Sequence, residues 1–207
     1  MKTTEIATFG KRLLADLPGF AAKGQMLFMR PIGHTLRGIF FDRSVNPRGF
    51  YVQIFIQPLF VPAEHVAFNV GWRLGGSSHI WNADAPGLIS ELDAALKREA
   101  LPFLSGVQSP QDVARAAASL QKSGDPYVQQ AIAYAFARDG DAQQAATALT
   151  QLVRTLDLKE QYPWQREMQR RAEVLKAELQ DNPLVARQRL ESWEVETTKR
   201  LGLERFS

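Results

Sequence analysis

Histidine, carboxylate and arginine are the residue types with which this 207-residue chain could do chemistry, and their spacing decides how far each can go. The three histidines are His34, His65 and His79, and none stands three or four residues from another or from a helical carboxylate. Metal ligands need to converge from such spacings, so no metal site is expected. Glu64 and His65 are adjacent, and neighbouring side chains of an extended segment point opposite ways, which reads as two loop residues in place of an acid–base pair. Gly75-Gly76-Ser77-Ser78 lacks the Lys-Ser/Thr ending of a phosphate-cradling loop and reads as a strand exit. Asp139-Gly140-Asp141 is followed by Ala142-Gln143-Gln144, without the alternating oxygens of a calcium loop, and reads as a turn between helices. Cys is absent, which removes disulfides, thiolate metal sites and Cys nucleophiles. The expectation is a chain without catalytic, cofactor or metal residues.

Arginine is the more informative type. Net charge is +3, and residues 1–104 hold 11 Lys and Arg against 8 acids while residues 105–207 hold 14 against 14, so the surplus is N-terminal. Lys23, Arg30, Arg37, Arg43 and Arg48 face only Asp42 within residues 23–48, a field that attracts anionic groups. Arg30, Arg37, Arg43 and Arg48 are therefore the expected partner-binding residues, because Arg pairs bidentately with carboxylate or phosphate. With Tyr51 and Phe55 nearby, the same residues would serve a nucleic-acid platform, where aromatics stack on bases. The competing expectation is that they are solvated strand-edge charges that discourage aggregation.

The elements that must position these residues are legible as an α+β pattern. Ile6, Phe9, Leu13 and Leu17 fall at helical spacing, and Leu17-Pro18-Gly19 stops the helix. Strands are expected at about residues 26–30, 35–43 and 50–57, where Phe50, Val52, Ile54 and Ile56 alternate with Tyr51, Gln53, Phe55 and Gln57. A fourth is expected from Val66 to Leu74, with Val66, Phe68, Val70, Trp72 and Leu74 on its buried face. These give an antiparallel meander of about four strands, with a short extra strand around Ile80-Trp81. Asp84 is the expected cap of a covering helix that ends at Leu101-Pro102, and Ser109-Pro110-Gln111-Asp112 starts an all-helical second half. The domain reading is a sheet domain over residues 1–104 with a helical region, residues 105–207, packed on it.

Two resemblances follow from particular residues. Leu17, Gly19, Phe20, Gly24, Phe28 and Arg30 after an opening helix, then Phe68-Asn69-Val70-Gly71, resemble a family of bacterial domains of unknown function over residues 5–104. That resemblance implies a helix, an antiparallel meander and a covering helix, and some members are suspected immunity proteins. Residues 126–159 resemble one tetratricopeptide unit, through Ile132, Ala133 and Phe136, the Gly140-Asp141 turn, and Ala145 and Leu149. Leu152 and Asp157 depart from that family's small Ala and closing Pro, and a lone unit does not build the concave groove of a repeat array.

The functional expectation is a non-catalytic protein-protein interaction module, of immunity-inhibitor or adaptor type, whose partner is another protein such as a toxin or secretion-system component. An enzyme with an unfamiliar site and a nucleic-acid binder are the competing classes. The N-terminus carries Lys2, Glu5, Lys11 and Arg12 without an apolar run, and Gln53, Gln57, Pro58, Pro62 and Glu64 interrupt the apolar stretch 50–68. No leader or membrane-crossing segment is read there, and a soluble, cytoplasmic protein is expected.

Overall fold

The structure is a computed structural model that describes residues 3–120, 124–156 and 162–206. The inward position expected for Ile6 and the departure at Asp157 lie outside what is described. Helix α1 (Thr3–Leu13) leads through a short 3₁₀ turn into β1 (Phe20–Lys23), β2 (Met26–Met29), β3 (Thr35–Arg43), β4 (Gly49–Pro58) and β5 (Val70–Arg73). These strands pair antiparallel in sequence order, and a two-residue β6 (Trp81–Asn82) pairs with β4. The class is α+β, with the helices concentrated in the second half.

Strand alternation splits the sheet into two apolar faces. Leu27, Ile39, Phe41, Val52, Ile54, Ile56 and Val70 join Leu13 and Leu17 under the helices. Met26, Phe28, Leu36 and Phe55 take the opposite face, where Leu59, Leu201 and Leu203 cover them. Phe55 is thus fully buried, and each such side chain contributes about 1.5 to 3 kcal/mol by burial. The second cover comes from the far end of the chain: Phe206 meets Phe28 edge-on at 5.0 Å.

Three elements differ from the sequence expectation. The four-residue β1 precedes the first expected strand, since Phe20-Ala21-Ala22-Lys23 is too short to show a period. The expected strand 66–74 pairs only from Val70, and Val66 and Phe68 pack on the opposite face to Val70 and Leu74. Gly71 permits this entry, because a Cβ there would lie 2.2 Å from the Ile54 carbonyl oxygen. Trp72 is half-buried and packs edge-on against Phe103 at 4.5 Å.

Helix α2 (Leu88–Ala95) starts at Gly87, whose φ of 76° suits glycine, and not at Asp84, which pairs with Arg48 instead. Nor does it end at Leu101-Pro102. A π turn over Leu96–Ala100 carries it into α3 (Leu101–Ser105), and the wider turn makes room for a proline ring that would clash in a regular helix.

The helical half follows its caps. In α4 (Pro110–Ser119) the Ser109 hydroxyl accepts from the Asp112 N–H and the Asp112 carboxylate accepts from the Ser109 N–H, a reciprocal cap. Next come α5 (Pro126–Asp139), α6 (Ala142–Leu156), α7 (Pro163–Asp181) and α8 (Pro183–Arg200), with Gly140 at φ 95° turning α5 into α6. Helix α6 buries Ala145, Leu149, Leu152 and Leu156, the expected stripe. Helix α5 packs against α4, α6 and α8, so it is buried on most sides and encloses Tyr134 completely. Among the described residues, no helix is long and apolar enough to cross a membrane.

Candidate functional site

The four arginines singled out from the sequence do not form one surface. Arg30 follows β2 and is exposed, and Arg43 is exposed at the end of β3. Arg48, in the β3–β4 turn, is held by the Asp84 carboxylate through both Nε (2.6 Å) and Nη2. That pairing raises the Arg48 pKa, its hydrogen bond to Asp84 being the main cause. Arg37 is 7% exposed and corrects the expectation outright. It shares the face of Ile39 and Phe41, and its guanidinium donates to the Val107 carbonyl (3.1 Å) and the Pro31 carbonyl (3.2 Å). Burial lowers its pKa. The continuous Arg stripe that a nucleic-acid platform requires is broken at this residue.

The histidines are also dispersed. His34 Nδ1 lies 2.9 Å from Glu194 Oε1, and Arg138, itself 8% exposed, reaches the same carboxylate at 3.3 Å and Glu191 at 3.2 Å. This network ties the β2–β3 turn to α5 and α8. His79 meets Trp81 edge-on at 4.6 Å. No group of three His, Asp or Glu side chains among the described residues is placed to hold a metal ion.

Sequence reasoning passed over the cleft between the β4–β5 segment and the helical half. It encloses about 510 Å³ and is walled by Val61, Pro62 and Val66 on one side and by Tyr127, Ala131 and Trp164 on the other. A concave, largely apolar space of this size with a few polar groups is the usual form of a binding site. Two helix starts build its mouth. Asp125 caps α5 by accepting from the Tyr127 N–H at 2.8 Å, with Pro126 in the first turn. In α7, Pro163 takes the same place, and the Tyr162 N–H donates to Gln165 Oε1 at 2.8 Å. Pro-aromatic pairs, Pro126-Tyr127 and Pro163-Trp164, therefore occupy equivalent first turns. Their rings stack 4.9 Å apart at 18°, and they remain 37% and 39% exposed. Desolvation, then the Asp125 charge, raises the Tyr127 pKa.

The loop wall is fixed by Gln57, 4% exposed, whose Nε2 donates to the His65 carbonyl (3.2 Å) and whose Oε1 accepts from the Ala67 N–H (3.0 Å). Glu64 pairs with Arg200 of α8, and the Thr197 hydroxyl reaches the Val61 carbonyl at 3.5 Å. On the helix side Gln130 lines the cleft although it is only 5% exposed. Its polar neighbour is the Tyr134 hydroxyl, whose pKa is pushed up to about 12 by burial, opposed by the hydrogen bond with Gln130.

Comparison with known proteins yields no relative. No family model, no curated protein and no solved structure matches the chain. The cleft is thus read on its own chemistry: apolar walls, two stacked aromatic rings at the mouth, and side-chain amides within. Such a lining is suited to apolar surface, with few polar groups to set orientation. The signal that could have located it was the repeated cap-Pro-aromatic pattern at residues 125–127 and 162–164.

Proposed function

We propose that this chain is a protein-binding module, of the adaptor or inhibitor type, that receives a segment of a partner protein in the cleft between the β4–β5 loop and the first turns of α5 and α7. The observation that carries this reading is the stacked Tyr127–Trp164 pair, set on the first turns of α5 and α7 yet more than a third exposed. Tyr and Trp dominate the energetics of protein interfaces because they bury large rigid areas at low entropic cost. Here α5 and α7 hold both rings in place before a partner arrives, which lowers the ordering cost of association.

Site-specific photocrosslinking tests the reading. A crosslinker replacing Tyr127 captures the partner in a lysate of the source organism, while the same group at the fully solvated Val45 does not. The captured protein, purified, then binds Trp164→Ala at least about tenfold more weakly than the wild type, the loss expected for an interface aromatic. Equal affinity for Trp164→Ala, with native folding confirmed, would place the interface elsewhere and overturn the reading.

A further inference from the structure

Helix α6 stands apart in a helical half whose outer faces carry both signs of charge. Its sequence, AQQAATALTQLVRTL, holds no Asp or Glu and one cation, Arg154. Gln143, Thr147, Gln151 and Arg154 fall three or four residues apart and so share one face of the helix. With Lys176 of α7 beside them, they line a groove of about 820 Å³ that contains no carboxylate. The cations of α7 and α8 are placed differently. Glu167 takes Arg170 and Arg171, Glu178 takes Arg189, and Glu191 takes Arg187. Arg154 and Lys176 have no such acid among the described residues.

We propose that this groove is a second interaction surface, which takes an acidic segment of a protein whose Asp or Glu side chains pair with Arg154 and Lys176. Charge complementarity selects the occupant: the groove supplies two cations without an anion, and carboxylates are what it lacks. Between the cations the face is built of amides and hydroxyls, which cost less to remove from water than charges do and so suit the centre of an interface. A nucleic acid is the poorer complement. Phe136, the one aromatic residue of the lining, is half-buried, and two cations neutralise few phosphates. The surface is separate from the Tyr127–Trp164 cleft and does not depend on it.

The test uses the full chain and a library of acetylated, amidated dodecapeptides, each with at least three Asp or Glu and no Lys or Arg, with binding followed by fluorescence polarisation. The expected result is a set of peptides that bind the wild type and weaken about tenfold with Arg154→Glu/Lys176→Glu, while Arg30→Glu/Arg43→Glu and Trp164→Ala bind them as the wild type does. Replacing the acids of such a peptide one at a time by Gln should weaken binding to the unmodified protein, so the contact is read even where a variant fails to fold. Absence of any binding peptide, an equal loss in Arg30→Glu/Arg43→Glu, or indifference to every acid-to-Gln change would overturn the proposal, the second result reducing it to attraction by net charge. Binding of a single-stranded dodecanucleotide in the groove where no acidic peptide binds would overturn it in favour of nucleic acid. A loss with Trp164→Ala in place of the groove variant would assign the peptides to the cleft and remove the second surface, leaving the proposed function untouched.

Discussion

Arg37 of β3 donates across the molecule to the Val107 carbonyl, 3.1 Å away in the connection between α3 and α4. A charge on the sheet's helix-covered face is thereby tied to the segment that joins the two halves of the chain. Removing it leaves the Val107 and Pro31 carbonyls short of a donor. Arg37→Met, which keeps the apolar stem, is expected to cost about 2 kcal/mol in urea unfolding. It should also hasten proteolytic cutting at residues 105–109, while the wild type resists cutting there. Early cleavage of the wild type into two stable fragments would show that the halves fold independently.

Trp72 and Phe55 rank the two faces of the sheet. Phe55 is fully buried, and Phe55→Ala should cost about 3 to 5 kcal/mol, the usual loss for a core aromatic. Trp72 is half-buried against Phe103, so Trp72→Ala should cost less, about 2 to 3 kcal/mol. Equal midpoint shifts in denaturant would contradict that ranking.

Gly71→Ala tests the entry into β5. The added methyl would meet the Ile54 carbonyl oxygen at 2.2 Å, and this is backbone that cannot swing aside as a side chain would. A loss of about 3 kcal/mol or more is expected, at the upper end for overpacking. A thermal midpoint equal to the wild type would mean that β4 and β5 do not approach as described.

Much of this fold was legible in the sequence, and the failures have physical causes. The period of two at residues 50–57 and the caps at Ser109, Asp125 and Asp141 are local signals, and each produced its element. Arg37 was misplaced because its charge was taken to imply solvent, although its spacing from Ile39 and Phe41 already put it on their face. The reversal of faces between Phe68 and Val70 was illegible because both residues are apolar, and only the tertiary covers of the two faces distinguish them. Tyr134 and Gln130 went unnoticed because α5 is enclosed by α4, α6 and α8, and a helix buried on most sides shows no polar stripe. The cleft joins residues far apart in sequence, and only its two cap-Pro-aromatic starts leave a local trace.

Glu167 gives the fold a pH signature. The hydrogen bond from Arg170 is the largest cause, and with Arg171 it outweighs partial desolvation and lowers the carboxyl pKa to about 2. A depressed folded-state value means that the contribution is fully present above the unfolded value near 4.5 and is lost as pH falls through about 2. Both partners are well exposed, so screening holds the effect below about 1 kcal/mol. Glu167→Gln should flatten stability between pH 4.5 and 2 and leave less salt dependence at neutral pH. An unchanged acid limb in the variant would exclude this pairing as a source of acid sensitivity.

The cleft is tested most directly by amide hydrogen exchange of the chain alone and with its captured partner. Binding in the cleft predicts slowed exchange across residues 59–69 and the first turns of α5 and α7, with the exposed β3–β4 turn at residues 44–48 unchanged. Protection confined to that turn and to the end of β3, with the cleft segments exchanging as in the free protein, would contradict the account and return recognition to Arg43 and Arg48.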